Sequence, residues 1–386
     1  YRGVVFSQAL SEGVLYPRWV QHLHWGLGSP LFTFQPPLPY YGMDLLFRLG
    51  LSHPIGWRLL IAGGFLLAFL GAYLLGRELT GRRWPALIAA TAFVYAPYVL
   101  RNALERGSNE TYSMFLYPLV LWGLLWVARQ PTLSPCRRVT LSPCHPVTLS
   151  PCHPVTVSPV LWELLRVGRW PSAGRFLVAT LAWAACIASH VLGPLMLAPF
   201  AGALALYLAW RRRTLAPLAV LLAGGLLTAA IWLPMAPEQA WVHVARDFEQ
   251  PEAIPAQNPI PLDRLLASPA VYDVVRGNNN VGDRIGLAHT AALALGLFGA
   301  VAVWRRQRSL AGPLLAAVVL GLLVFWLFTS ASDWLWRAAA AIMGRLLYRT
   351  RLMGVQALFA ALSAGLLIAL LPPRRRRWIG LVACVL

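Results

Sequence analysis

Long apolar runs, each closed by a short cluster of arginines, dominate this chain and leave little choice of fold. Apolar residues make up 58% of the 386 positions and charged ones only 12%. A soluble domain of this size carries about a quarter charged residues. A water-soluble globule is therefore excluded. All 33 basic residues are arginine, against 14 acids, for a net charge of +19. Nucleic-acid binding needs such charge gathered on one face of a folded module. Here the arginines punctuate apolar segments, so their excess reads as membrane topology, and no nucleic-acid partner is expected.

A helix needs about 20 mostly apolar residues to cross the hydrocarbon core. Nine segments are marked: 55–75, 85–100, 112–128, 176–189, 192–210, 215–233, 285–304, 310–329 and 352–371. A partial tenth starts at Trp378. The segment 176–189 is short, which suggests a half-length or tilted helix with His190 in the turn after it. The expected fold is thus all-α, a polytopic transmembrane helical bundle. Tyr1 in place of a methionine and the apolar run at the far end read as cut ends.

The connecting loops test this map, because arginine collects on the cytoplasmic side. Alternate loops hold Arg77, Arg82 and Arg83, then six arginines within 129–175, then Arg211 to Arg213, then Arg305, Arg306 and Arg308, then Arg374 to Arg377. Those loops carry only Glu78 and Glu163 as acids. The other twelve acids fall in the opposite loops, including Glu12, Asp44, Glu105, Glu110, Glu238 and Asp333. Trp84, Trp210, Trp304 and Trp378 each adjoin an arginine cluster, as an interfacial aromatic belt does.

The chain therefore reads as one polytopic domain. Residues 1–54 form an outer loop with an interfacial helix, 129–175 a cytoplasmic loop, and 234–284 a large outer loop. Within 132–159 a period of eight recurs (TLSPCRRV, TLSPCHPV, TLSPCHPV, TVSP). Proline at that density forbids helix and sheet ladder alike. Its adjacent Cys-His pairs lack the spacing of structural zinc ligands, so the tract reads as an expanded repeat. Cys186 and Cys384, in apolar runs, read as buried thiols.

Polar groups at membrane depth are costly and hence often functional. Glu110 opens one span and Arg351 another; His190 closes a third; Glu238 follows Trp232-Leu233-Pro234; His289 lies one turn inside its span. Arg351 is placed either to hold a phosphate bidentately or to snorkel to the interface. Glu110, Glu238 or Asp333 is placed to act as base or cation ligand, or simply to solvate the outer surface. No serine-histidine-acid order, CxxC pair or Gly-rich phosphate loop is present.

The order of short motifs resembles a bacterial multi-spanning family labelled "6-pyruvoyl-tetrahydropterin synthase-related". The motifs are R-x-x-V-x-x-x-A-L-x-E-G-x-L-Y-P-R-W from Arg2, G-x-G-x-P-L-F-x-F-x-P-P-L-P-Y-Y from Gly26, and A-P-Y-V-L from Ala96. Glu110 ahead of Tyr117-Pro118-Leu119, Ser189-His190, Glu238 after Trp232-Leu233-Pro234, Gly286 with His289, and Tyr348 to Arg351 continue the order. The label is not an activity, since nothing here offers the three-histidine zinc site of a pterin synthase. The family is similar in layout to the C-type (GT-C) polytopic glycosyltransferases. That resemblance implies transfer of a sugar from a polyprenyl-phosphate donor to an acceptor on the outer face of the bacterial cytoplasmic (inner) membrane. It implies a catalytic acid in the first outer loop, where Glu12 is the only acid before Asp44. Glu12, Glu110 and Glu238 are the catalytic candidates, with a divalent cation as possible cofactor. Arg18, His190, His289 and Arg351 are the substrate-binding ones. A transporter or flippase of lipid-linked saccharide, and a non-catalytic scaffold, are the rival readings. Membrane lipid is a partner under all three.

Overall fold

A computed structural model describes residues 1–129, 172–238, 259–266, 284–338, 349–377 and 379. The repeat, most of the loop 234–284 and Cys384 lie outside the described residues. The first helix, α1 (Arg2–Ser11), was not expected from the sequence. Next, α2 (Leu38–Arg48) starts with Pro39 in its first turn, as the fixed φ of proline favours. Phe6 of α1 packs edge-on against Phe32 with 5.0 Å between ring centres, and stacks on Tyr40 of α2 at 5.5 Å. A lone backbone bridge joins Val20 to Ser29. These contacts make residues 1–48 a small lobe with its own aromatic core.

The long helix α3 (His53–Thr80) begins at Pro54 and stops at Gly81, whose φ of 67° provides the left-handed cap. Its 28 residues rise about 42 Å. Then follow α4 (Arg83–Val94), α5 (Pro97–Leu100) with a π-helical turn at Arg101–Glu105, and α6 (Glu110–Val127). Beyond the undescribed stretch come α7 (Ala173–Ser189), α8 (Leu192–Arg212), α9 (Ala216–Leu227), α10 (Leu287–Val303), α11 (Arg308–Phe328) and α12 (Met353–Ala369).

Helix is thus present at all nine marked segments, but nine spans are not what the lengths give. Among the described residues four helices are long and apolar enough to cross a membrane: His53–Thr80, Leu192–Arg212, Arg308–Phe328 and Arg349–Ala369. A fifth arises if Arg83–Val94 and Pro97–Glu105, bent by 49°, count as one broken span. Three more, α7, α9 and α10, are apolar but shorter. The shortening has local causes. At the end of α9 the Thr228 hydroxyl donates back to the carbonyls of Gly224 and Gly225, which competes with the helical ladder. In α6 the first turn, Glu110 to Ser113, is polar.

The core forms around α12, which is buried along most of its length against α4, α10 and α11. Small residues permit this approach. A Cβ on Gly365 would stand 2.6 Å from the Pro85 carbonyl oxygen, so only glycine fits where α12 meets α4. Close contact through small residues is how helices associate in lipid, where no hydrophobic difference drives them together.

The two ends of the bundle differ in charge as the loops do. Arg129 pairs with Glu78, Arg82 reaches the Ala369 carbonyl, and Arg175 lies over Trp126, all at the arginine-rich end. Glu110 with Arg351, Asp333 with Arg349, and Glu238 with Arg18 pair at the acid-bearing end. None of these contacts mixes the two sets.

Candidate functional site

The acid-bearing end gathers three of the candidates. Glu110, at the start of α6, is buried, and its carboxylate lies 3.8 Å from Nε of Arg351. The Tyr98 hydroxyl donates to the other carboxylate oxygen at 3.3 Å. Helix geometry favours this placement, because a negative charge in the first turn meets the positive end of the α6 dipole. Just before it, Gly107 takes a positive φ, and the Ser108 hydroxyl accepts the Glu110 backbone N–H. The Arg101–Glu105 turn beneath is π-helical, a wider winding that recurs at functional sites. It places Asn102 in the interior with its amide nitrogen 4.0 Å from the Met114 sulfur.

Arg351 arrives from the opposite end of the chain on the 3-10 turn Arg349–Leu352 that leads into α12. That turn is anchored by Arg349, which is almost fully buried. It donates to Asp333 Oδ1 at 2.6 Å and to the Thr329 carbonyl at 3.1 Å, and its guanidinium lies 5.0 Å from the Trp336 ring. Asp333 is therefore held as a partner of Arg349.

His190 sits between α7 and α8 with an extended backbone. Its Nδ1 accepts the N–H groups of Leu192 and Gly193 at 3.2 and 3.0 Å, which caps the otherwise unpaired first turn of α8. Acceptance at Nδ1 leaves the proton of the neutral ring on Nε2. Burial, and next the nearby Arg351 guanidinium, push the His190 pKa down to about 3. The ring is a neutral N–H donor at physiological pH. Next to it the Tyr117 hydroxyl donates to the Gly193 carbonyl at 2.7 Å. A side chain on Gly193 would run into Ser113 of α6. Ser113 in turn touches the buried Cys186 sulfur at 3.2 Å.

A pH dependence follows from His190. Its folded pKa lies below the unfolded value of about 6.5, so between about 6.5 and 3 the unfolded chain holds a proton that the folded chain does not. Stability then falls as pH falls, by about 1.4 kcal/mol per unit in that window. Replacing His190 by asparagine, which caps without titrating in this range, should flatten that slope in melting temperatures taken from pH 7 to 5. The alanine variant should lose the slope as well, and lie about 1 kcal/mol below the asparagine variant at every pH.

The remaining candidates lie elsewhere. Arg18 pairs with Glu238, tying the amino-terminal lobe to the segment after α9. Burial raises the Tyr16 pKa, with Arg18 opposing and Tyr41 and Glu238 adding to it, so these groups form a second cluster. Glu12 is exposed, accepts from Gln8 at 3.2 Å and lies 3.8 Å from His22. It is not brought to Glu110. His289 is buried on α10, where Nε2 donates at 2.9 Å to the Ala92 carbonyl. That carbonyl belongs to the last turn of α4, left open where Pro97 breaks the span. His289 therefore fastens the kink. Between the lobe and Glu110, the Asn109 amide donates to Gln35 at 3.1 Å and contacts the Tyr40 hydroxyl.

Sequence reading missed Tyr98, Asn109 and Arg349. Tyr98 and Arg349 lie inside two of the short motifs, and both are polar groups at the end of a helical run. Among the described residues no three of His, Cys, Asp and Glu come together to hold a metal ion. Five of the acids expected on the outer side, Asp247, Glu249, Glu252, Asp273 and Asp283, lie outside the described residues.

Among the described residues these features define a helical architecture with helices suited to a membrane and, at one end of the bundle, a buried carboxylate beside a partly buried arginine. No protein-family profile, curated protein or solved structure matches the chain.

Proposed function

We propose that the chain is a membrane glycosyltransferase that takes a sugar from a polyprenyl-phosphate donor at the acid-bearing, outer face of the bacterial cytoplasmic membrane. The reading rests on one observation, the pairing of buried Glu110 with the partly buried Arg351 and neutral His190 close by. A buried ion pair is a poor way to gain stability, and at helix ends facing a lipid–water boundary it points to function.

The chemistry uses the pair as an exchange. The donor phosphate engages Arg351 bidentately and replaces the carboxylate there. Glu110, released, accepts the proton of the acceptor hydroxyl as its oxygen attacks the anomeric carbon. The bond to the phosphate oxygen breaks with inversion, and the departing lipid phosphate keeps its negative charge beside Arg351. His190 Nε2–H adds a donor without adding a charge. The same exchange needs no metal, and a divalent cation held by the undescribed acids is compatible with it.

The 49° break at Pro97 with its π turn also favours a second reading, since interrupted helices meet substrates in transporters. Purified protein in lipid nanodiscs, given labelled polyprenyl-phosphate sugar and acceptor glycan, separates the two. The transferase releases polyprenyl phosphate, and Glu110→Gln slows release by 10²–10⁴-fold while donor binding survives. Donor binding or flipping without release supports transport. No binding of any donor, together with unchanged cellular glycans in Glu110→Gln and Arg351→Ala strains, overturns both.

A further inference from the structure

The arginine-rich end holds a cleft of about 410 Å³ where α10 turns into α11. Its lining includes the apolar Ala300, Val301 and Leu315 and, at the turn that follows α10, Trp304, Arg305 and Arg306. The volume falls in the roughly 300–1,000 Å³ range of small-ligand sites. We propose that this cleft binds the headgroup of an anionic phospholipid.

The composition of the cleft matches that ligand in two parts. Val301 is exposed on the α10 surface and Trp304 is 42% exposed at the interface position, so the apolar lining continues from the cleft onto the helix face that acyl chains would cover. Arg305 and Arg306 are both exposed residues, and Arg308 follows one residue after the turn. Among the described residues this end holds one acid, Glu78, and that carboxylate is taken by Arg129. Among the described residues the two arginines thus have no acidic partner, and they attract phosphate, for which guanidinium supplies paired donors. A soluble phosphate would use only the arginines; a phospholipid uses the arginines and the apolar lining, with the indole at the glycerol level. This site stands apart from Glu110 and is independent of the transferase reading.

Native mass spectrometry of delipidated protein in detergent tests it, with phosphatidylglycerol or phosphatidylcholine added back. The Arg305→Ala/Arg306→Ala variant is compared with Arg211→Ala/Arg212→Ala, which removes the same charge from another exposed cluster at this end. All four side chains are exposed, and unchanged melting curves verify the fold. Expected is about a tenfold loss of phosphatidylglycerol binding in the first variant alone, with little phosphatidylcholine bound to any form and no displacement by excess inorganic phosphate. Equal losses in both variants, equal binding of the two lipids, or displacement by inorganic phosphate would each overturn the proposal.

Discussion

Glu110→Ala should destabilise the protein by about 3–5 kcal/mol, because it leaves the Arg351 guanidinium without its carboxylate in a buried setting. The side chains are 5% and 17% exposed, so solvent repays little of that loss. Glu110→Gln should cost less, since the amide oxygen still accepts from Tyr98. The decisive variant is the double one. Glu110→Leu with Arg351→Met removes both charges and both desolvation penalties, and should unfold in mixed micelles within about 1–2 kcal/mol of the parent. If the pair exists for transfer chemistry, that stable variant has no transferase activity. A double variant that is as unstable as Glu110→Ala would mean that the pair holds the helices together, and the functional argument built on its cost would lose its premise.

That pair also marks the limit of what the sequence could show. Hydropathy located the apolar helices, because burial in lipid or protein selects apolar residues residue by residue, but it passed over α1. The turn chemistry was equally legible: Pro39 opens α2, and His190 falls in the turn between α7 and α8. Helix lengths were less so. The segment 215–233 is interrupted at Thr228 and resumes as a short turn at Ala229, a local change that periodicity does not register.

Pairing across the bundle was not legible at all. Glu110 and Arg351 are far apart in sequence, and nothing in either segment states the rotation and offset at which α6 meets α12. Small residues set that register through close contacts, such as Gly354 facing the Met114 sulfur and Gly365 facing Pro85. The same ignorance of partners made His289 a substrate candidate. An isolated histidine near a helix end looks alike whether it waits for a ligand or fastens the Ala92 carbonyl of a kinked neighbour.

Arg349 is the residue whose loss should reach the site without touching it. Arg349→Ala should lower stability by about 3 kcal/mol, combining a broken charge pair with the loss of a hydrogen bond to the Thr329 carbonyl and of a cation–ring contact. The figure sits at the low end for buried pairs because Asp333, 32% exposed, can turn to water. The Thr329 carbonyl, at the C-terminal end of α11, keeps the Ser332 hydroxyl and backbone N–H as donors, so its share of the loss is small. A cation at that terminus also meets the negative end of the helix dipole. Arg349→Lys keeps the charge but not the two-pronged geometry, so it should recover about half of the loss. Because Arg351 follows two residues later on the same short turn, Arg349→Ala should also weaken donor binding while Asp333→Asn leaves it nearly intact. Unfolding in mixed micelles and donor titration on the same samples check both effects. If Arg349→Ala loses stability but binds donor normally, the turn is fixed by α12 instead, and Arg349 serves only to seal the end of α11.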